Sequence, residues 1–192
     1  MSIYIVNGFP CAGKTTFEEN VKKIVGDEYC YILSTITPIK QIATMVGWNG
    51  KKDLESRKFL SDLKDLLTKY NDYPFNYICD QIKHIEEEWA EYGISPRSIV
   101  IFVDCREPEE IKKLCDKLDA KSLLIRRASA ENSATSNHAD EGVLNYNYDI
   151  VIENSGDLRD YAYKAFEFVD NERIIKKTNK LTVNLFGEII EE

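Results

Sequence analysis

Five stretches of the chain each carry an unbroken apolar run: SIYIVN at 2–7, YCYILS at 29–34, SIVIFVD at 98–104, KSLLIRR at 121–127 and YDIVIEN at 148–154. Continuous rather than alternating hydrophobicity marks strands covered on both faces, as in a parallel sheet with helices on each side. Between these runs the apolar residues recur at three and four positions. Lys14 to about Val25 forms one such helix. TPIKQIATMVGWNG forms a second, with Thr37 as N-cap, Pro38 at its first position, Gly47 at its end and a buried stripe of Ile39, Ile42, Ala43 and Val46. DLESRKFLSDLKDLLTKY places Phe59, Leu60, Leu63, Leu66, Leu67 and Tyr70 on one face, which the pattern predicts to be core. A helix from about Tyr73 to Tyr92 is closed by Gly93 and Pro96, and REPEEIKKLCDKL starts another with Pro108 and acids in its first turn. GDLRDYAYKAFEFVD packs through Leu158, Tyr161, Ala162, Ala165, Phe166 and Val169.

Strands alternating with helices predict an α/β domain with a mainly parallel five-stranded sheet. ASAENSATSNHADEG, residues 128–142, is polar and aperiodic, and such a stretch inside a domain is usually a functional loop. We take residues 127–143 as a lid within a domain of residues 1–170. The segment 171–192, with LTVNLFGEII inside it, is expected to add an extra strand or a contact arm, not a separate domain.

Composition narrows the function classes. The chain has 192 residues, 43% of them hydrophobic and 30% charged, enough for one domain with its own core. A net charge of -8 argues against binding along a nucleic-acid backbone, so any anionic ligand needs a local basic site. The five cysteines Cys11, Cys30, Cys79, Cys105 and Cys115 are irregularly spaced with no CxxC pair, which suggests neither a disulfide framework nor a zinc site. No basic and apolar leader and no long apolar span is evident. A cytoplasmic protein with no membrane or nucleic-acid partner, monomeric or homodimeric, is expected.

GFPCAGKT, residues 8–15, lies between the first strand and the first helix. Gly8, Gly13, Lys14 and Thr15 fit the Walker A pattern GxxxxGK followed by Ser or Thr. In that context Gly8, Phe9, Pro10, Cys11, Ala12, Gly13, Lys14, Thr15 and Thr16 wrap a phosphate with backbone N–H groups at a helix N-terminus. Lys14 reaches the β and γ phosphates of ATP, and the Thr15 hydroxyl is a ligand for Mg²⁺. Cys11 inside the loop has no catalytic duty, though its alkylation should block nucleotide binding.

Other residues bear on where the phosphate goes. Asp104 ends its strand at the carboxyl edge where open sheets bind ligands; it either holds Mg²⁺ through water, orients an acceptor, or merely leaves a strand. Arg106 at the same edge is an acceptor-phosphate candidate against a solvated arginine. Lys40, in a helix first turn that disfavours cations, and Arg57, at the start of the next helix, are acceptor-side candidates against the alternative of exposed charges. Arg126 and Arg127, where strand meets lid, are candidates for closing over the transferring group. His138 and Asp140 lie at the far end of the lid, where exposure to solvent is the simpler reading, and His84 reads as an exposed helix residue.

With GFPCAGKTT, TPIK, SRKFLSDLKDL, VDCREPEEI, LLIRR and NHADEGVLNYNYDIVIENSGDL in hand, the chain resembles the nucleoside monophosphate kinase-like P-loop kinases over most of residues 2–170. The likeness is to phage-type deoxynucleoside monophosphate kinases, animal-type phosphomevalonate kinases and dephospho-CoA kinase. It implies the three-layer α/β/α P-loop NTPase fold with sheet order 2-3-1-4-5, a polar lid, ATP with Mg²⁺ as donor, and a small phosphorylated acceptor. Carried over, Lys14 and Thr15 hold the donor, Lys40, Arg57 and Arg106 face the acceptor, and Arg126 or Arg127 is the lid arginine. Adenylate-kinase relatives often carry DGxPR after the third strand; this chain has DCREP, so the acceptor is not inherited. The leading expectation is γ-phosphoryl transfer to a nucleoside or deoxynucleoside monophosphate. The alternatives are a non-nucleotide phosphorylated acceptor or a P-loop regulatory module, although no NKxD guanine motif is present.

Overall fold

A computed structural model describes residues 1–93, 99–131, 142–178 and 180–191 of the chain. Pro96, His138 and Asp140 lie outside these residues, as does most of the expected lid.

Five parallel strands form the centre: β1 (Ser2–Asn7), β2 (Cys30–Ser34), β3 (Val100–Asp104), β4 (Lys121–Arg126) and β5 (Ile150–Glu153). Their order is β2-β3-β1-β4-β5. Helices α1 (Lys14–Val25), α2 (Thr37–Met45), α3 (Leu54–Asn71), α4 (Tyr73–Glu91), α5 (Pro108–Leu118), the short α6 (Ala128–Glu131) and α7 (Leu158–Asn171) fill the connections. This is the three-layer α/β/α architecture of P-loop NTPases.

The continuous apolar runs are explained by a core on each face. Tyr4 and Val6 of β1 with Val100 and Phe102 of β3 point toward α1 and α7, where they meet Phe17, Val21, Ile24, Tyr161, Ala165 and Phe168. Ile3, Ile5, Ile101 and Val103 point to the other side and meet Ile78, Ile82 and Ile85 of α4 and Ile111 and Leu114 of α5. Along β1 and β3 successive residues thus serve one layer and then the other in alternation. Helix α7 begins with a capping box in which Asp157 accepts from the Asp160 N–H and Asp160 accepts from the Asp157 N–H.

Three expectations change. Helix α2 is capped at Ile36 rather than Thr37, and Val46, just beyond it, is 70% exposed. The apolar stripe of α3 is not core: Leu66 is 63% and Tyr70 81% exposed, and the one buried residue of the helix is Lys64. A helical apolar period shows which face is greasy, but it does not supply a partner for that face. Leu158 is likewise exposed at the start of α7, although Tyr161, Ala162, Ala165 and Val169 are buried as expected.

Residues 181–191 form an antiparallel hairpin, β6 (Leu181–Val183) with β7 (Ile189–Glu191). The Asn184 side chain organises its turn by accepting from the Phe186 and Glu188 N–H groups. Val183 and Ile189, with Ile174 before them, join the core on the α1 and α7 side, and the Lys177 N–H donates to the Ile24 carbonyl at the end of α1. Among the described residues no helix is long and apolar enough to cross a membrane.

Candidate functional site

The carboxyl ends of all five strands lie along one edge of the sheet. The residues that leave that edge build the site. After Asn7 the chain enters the glycine loop and then α1, as the Walker pattern requires. Gly8 has φ 151°, and a Cβ there would meet the Ile125 carbonyl oxygen at 2.4 Å. Gly13 has φ 104°, and a Cβ would meet the Asn154 side chain at 2.5 Å. Both glycines are therefore demanded by backbone conformation and by close approach.

The loop is held from three sides. Asn7, fully buried, accepts from the Gly8 N–H at 2.7 Å and donates to the Arg106 carbonyl and the Tyr148 hydroxyl. Asn154, just past β5, donates to the Ala12 carbonyl, and the Tyr161 hydroxyl donates to the Gly13 carbonyl. The Lys14 ammonium donates to the Gly8 carbonyl at 2.6 Å and the Phe9 carbonyl at 3.2 Å, inside the curve of its own loop. Thr15 and Thr16 stand exposed in the first turn of α1, and Cys11 is exposed at φ 64°. Asn7, Asn154 and Tyr161 escaped the sequence reading because buried amides and a helix tyrosine carry no spacing signature. The polar Asn7 ending an apolar strand was the one available clue.

Asp104 ends β3 beside this loop, level with Val6 of β1 and Ser34 of β2. Burial pushes its carboxyl up from the ordinary aspartate value, against the opposing pull of Lys14, Arg106 and Lys40. The charges of three cations from three segments therefore act on one carboxylate at the sheet edge, in a chain of net charge -8. Arg57, at the start of α3, is exposed and is not among them. Arg126 is held in a fork by Glu131, at 2.8 and 3.0 Å, and also meets Glu153. Arg127 is exposed, and its charge reaches Tyr161, the residue bonded to Gly13.

A hard divalent cation takes oxygen ligands. The Asp104 Oδ1 atom is enclosed without a hydrogen-bond partner, and the Thr15 hydroxyl stands in the first turn of α1, so the donor set fits Mg²⁺. When bound, the ion neutralises charge on the nucleotide phosphates.

One further residue emerges only in three dimensions. Glu18 of α1 is 1% exposed. Burial first and the Asp104 charge second push its pKa up to about 8, with Lys14 opposing. An acid whose pKa rises on folding contributes stability below its unfolded value, which is lost as pH climbs through the folded value. In EDTA and without nucleotide, Glu18→Gln is therefore expected to gain thermal stability over the parent from about pH 5 to about pH 8 and hold a constant margin beyond. Melting curves across that range check this; a margin independent of pH would place the Glu18 carboxyl in a solvated setting.

No family model matches the chain, and no curated protein does. Among solved structures, the chain is similar to a sugar kinase from Janibacter sp., 13% identical, with 88% of this chain and 95% of that one covered and a TM-score of 0.49. It is also similar to the shikimate kinase of Aquifex aeolicus, 11% identical, with 90% and 98% covered and a TM-score of 0.42. A Thermus thermophilus protein is 15% identical, with 89% and 97% covered and a TM-score of 0.45.

Proposed function

We propose that this chain is a small-molecule kinase that transfers the γ-phosphoryl of ATP to a phosphorylated acceptor, with a nucleoside or deoxynucleoside monophosphate as the leading class. The observation that carries this reading is the Walker-type glycine loop between β1 and α1 at the sheet edge, with the charges of Lys14, Arg106 and Lys40 all acting on Asp104 beside it. A nucleotide switch needs cations on the donor phosphates alone. Transfer between two phosphorylated molecules needs them on both sides of the migrating group, because the reaction is governed by positioning and charge neutralisation.

In this reading residues 8–16 cradle the donor phosphates and Lys14 stabilises the β and γ groups. Thr15 and Asp104 are the Mg²⁺ residues. Arg106 and Lys40 orient the acceptor phosphate, with Arg57 as a further acceptor-side candidate. Arg127 is favoured over Arg126 as the arginine acting on the transferring group, since Arg126 is already engaged by Glu131 and Glu153.

The test is ADP release from ATP and Mg²⁺ with a panel of ribo- and deoxyribonucleoside monophosphates, phosphomevalonate and dephospho-CoA. Strong stimulation by one or a few nucleotides is expected. Stimulation by a non-nucleotide alone replaces the acceptor class, and slow hydrolysis indifferent to every acceptor favours the regulatory module. With the acceptor identified, Arg106→Ala is expected to raise the acceptor KM roughly ten- to hundredfold, the loss of one charge-assisted contact, and to leave the ATP KM nearly unchanged. The opposite split would move Arg106 to the donor side.

A further inference from the structure

Glu18 has no part in the machinery described so far. Residues three and four apart on a helix share a face, so Glu18 stands one turn along α1 from Thr15 and Lys14. Its Oε1 atom is enclosed and accepts no hydrogen bond. Asp104, at the end of β3, presents an Oδ1 atom in the same condition. Phe17, the neighbour of Glu18 on α1, packs against Phe102, two residues before Asp104 on β3, with ring centroids 6.4 Å apart, and the charges of Asp104 and Lys14 both act on Glu18 behind the glycine loop. Two donors of the Lys14 ammonium are directed to the Gly8 and Phe9 carbonyls.

Buried acceptors are ordinarily satisfied, and a native structure that leaves one bare calls for a reason. Here there are two, on separate elements, both carboxylate oxygens, and both beside the loop that would hold a polyphosphate. Hydrophobic packing does not explain Glu18 either. A leucine or methionine in its place would fill the same space between α1 and the sheet without the desolvation of a carboxyl group. Carboxylates grouped in this way are the donor set for a hard divalent cation.

We propose that Glu18 and Asp104 together form the acidic side of the divalent-cation site, so that the cation accompanying the nucleotide is held by two carboxylates rather than by the strand-end aspartate alone. The inference rests on the reading of residues 8–16 as the nucleotide loop. It assigns Glu18 to cation binding, a role separate from that of Lys14 on the phosphates.

The experiment uses the full chain with ADP, and Mn²⁺ as a probe for Mg²⁺. Free Mn²⁺ is followed by its electron paramagnetic resonance signal during titration into the protein–ADP complex, and ADP affinity is measured separately in EDTA. Glu18→Gln is expected to weaken Mn²⁺ retention about 10- to 100-fold, the range for loss of a group supporting a metal site. Its ADP affinity in EDTA should match the parent, and Glu18→Asp should recover part of the Mn²⁺ affinity. Wild-type Mn²⁺ retention by Glu18→Gln overturns the proposal. So does an equal loss of ADP affinity with and without Mn²⁺, which is the signature of a purely structural role. If the parent chain itself binds no ADP under either condition, the nucleotide reading of the loop falls and the cation site with it, an outcome that does not depend on any variant.

Discussion

Replacing Lys14 with alanine is expected to lower phosphoryl transfer by about 10²–10³-fold, the usual effect of removing one preorganised donor from a developing charge. The ammonium lies within the curve of the loop, bonded to the Gly8 and Phe9 carbonyls, so it is poised at the turn that would cradle a polyphosphate. The fold should survive. The loop is independently fastened through Asn7, Asn154 and Tyr161, and none of these bonds involves the Lys14 side chain. The measurements are the rate of ADP formation with the best acceptor and a thermal melt of the same sample. An unchanged rate would remove Lys14 from the site, whereas a lost melt would show that its two carbonyl contacts hold the loop in shape.

The second large effect is on stability. Lys64→Met is expected to destabilise the protein by about 3–5 kcal/mol, the penalty for removing one partner of a buried ion pair. Lys64 donates to Glu107 and, at 2.7 Å, to Glu110, with its side chain only 10% exposed. Burial works against the ammonium, but Glu110 and then Glu107 outweigh it and hold its pKa above the ordinary lysine value. Cys105 joins the cluster by donating its thiol to Glu110 at 3.1 Å. The cysteine and the two carboxylates lie within 4.8 Å of one another, a spacing that would suit a metal ion, but Lys64 already supplies the positive charge. Without it the largely buried Glu110 and the partly exposed Glu107 would be left side by side without the lysine that pairs them. Urea denaturation at pH 7 gives the loss, and adding Glu107→Gln and Glu110→Gln to Lys64→Met should restore part of it. A loss under about 1 kcal/mol would mean that the pair is effectively solvated.

The two kinds of signal in the sequence fared differently against the structure. Strands covered on both faces leave long apolar runs, and β1 to β5 fall within a residue or two of where those runs lie. The Walker spacing survived because its glycines answer to fixed geometry, at φ 151° and 104°, rather than to packing. The stripe of α3 misled because its apolar period is genuine, while among the described residues its cover is partial: Leu60, Leu63 and Leu67 are half-buried, and Phe59, Leu66 and Tyr70 stand exposed. Glu18 was invisible for the complementary reason. A glutamate among the charges of a helix reads as a solvent face, and only the packing of α1 on β3, Phe17 against Phe102, shows that Glu18 is buried. The β6–β7 hairpin had a readable signal, a five-residue connection from Asn184 to Glu188 containing one glycine, but strands of three residues each are too short to show a period.

Helix α3 carries one consequence for how the molecule breathes. Its single buried residue is charged, and its greasy positions Leu66 and Tyr70 face outward. Its apolar cover is thin, with Leu60, Leu63 and Leu67 only half-buried, so its backbone amides should exchange with deuterated solvent through a local opening shallower than global unfolding. Part of the fastening is ionic, and protonating Glu107 and Glu110 together would remove that part, making acid a means of loosening α3 ahead of the sheet and the glycine loop.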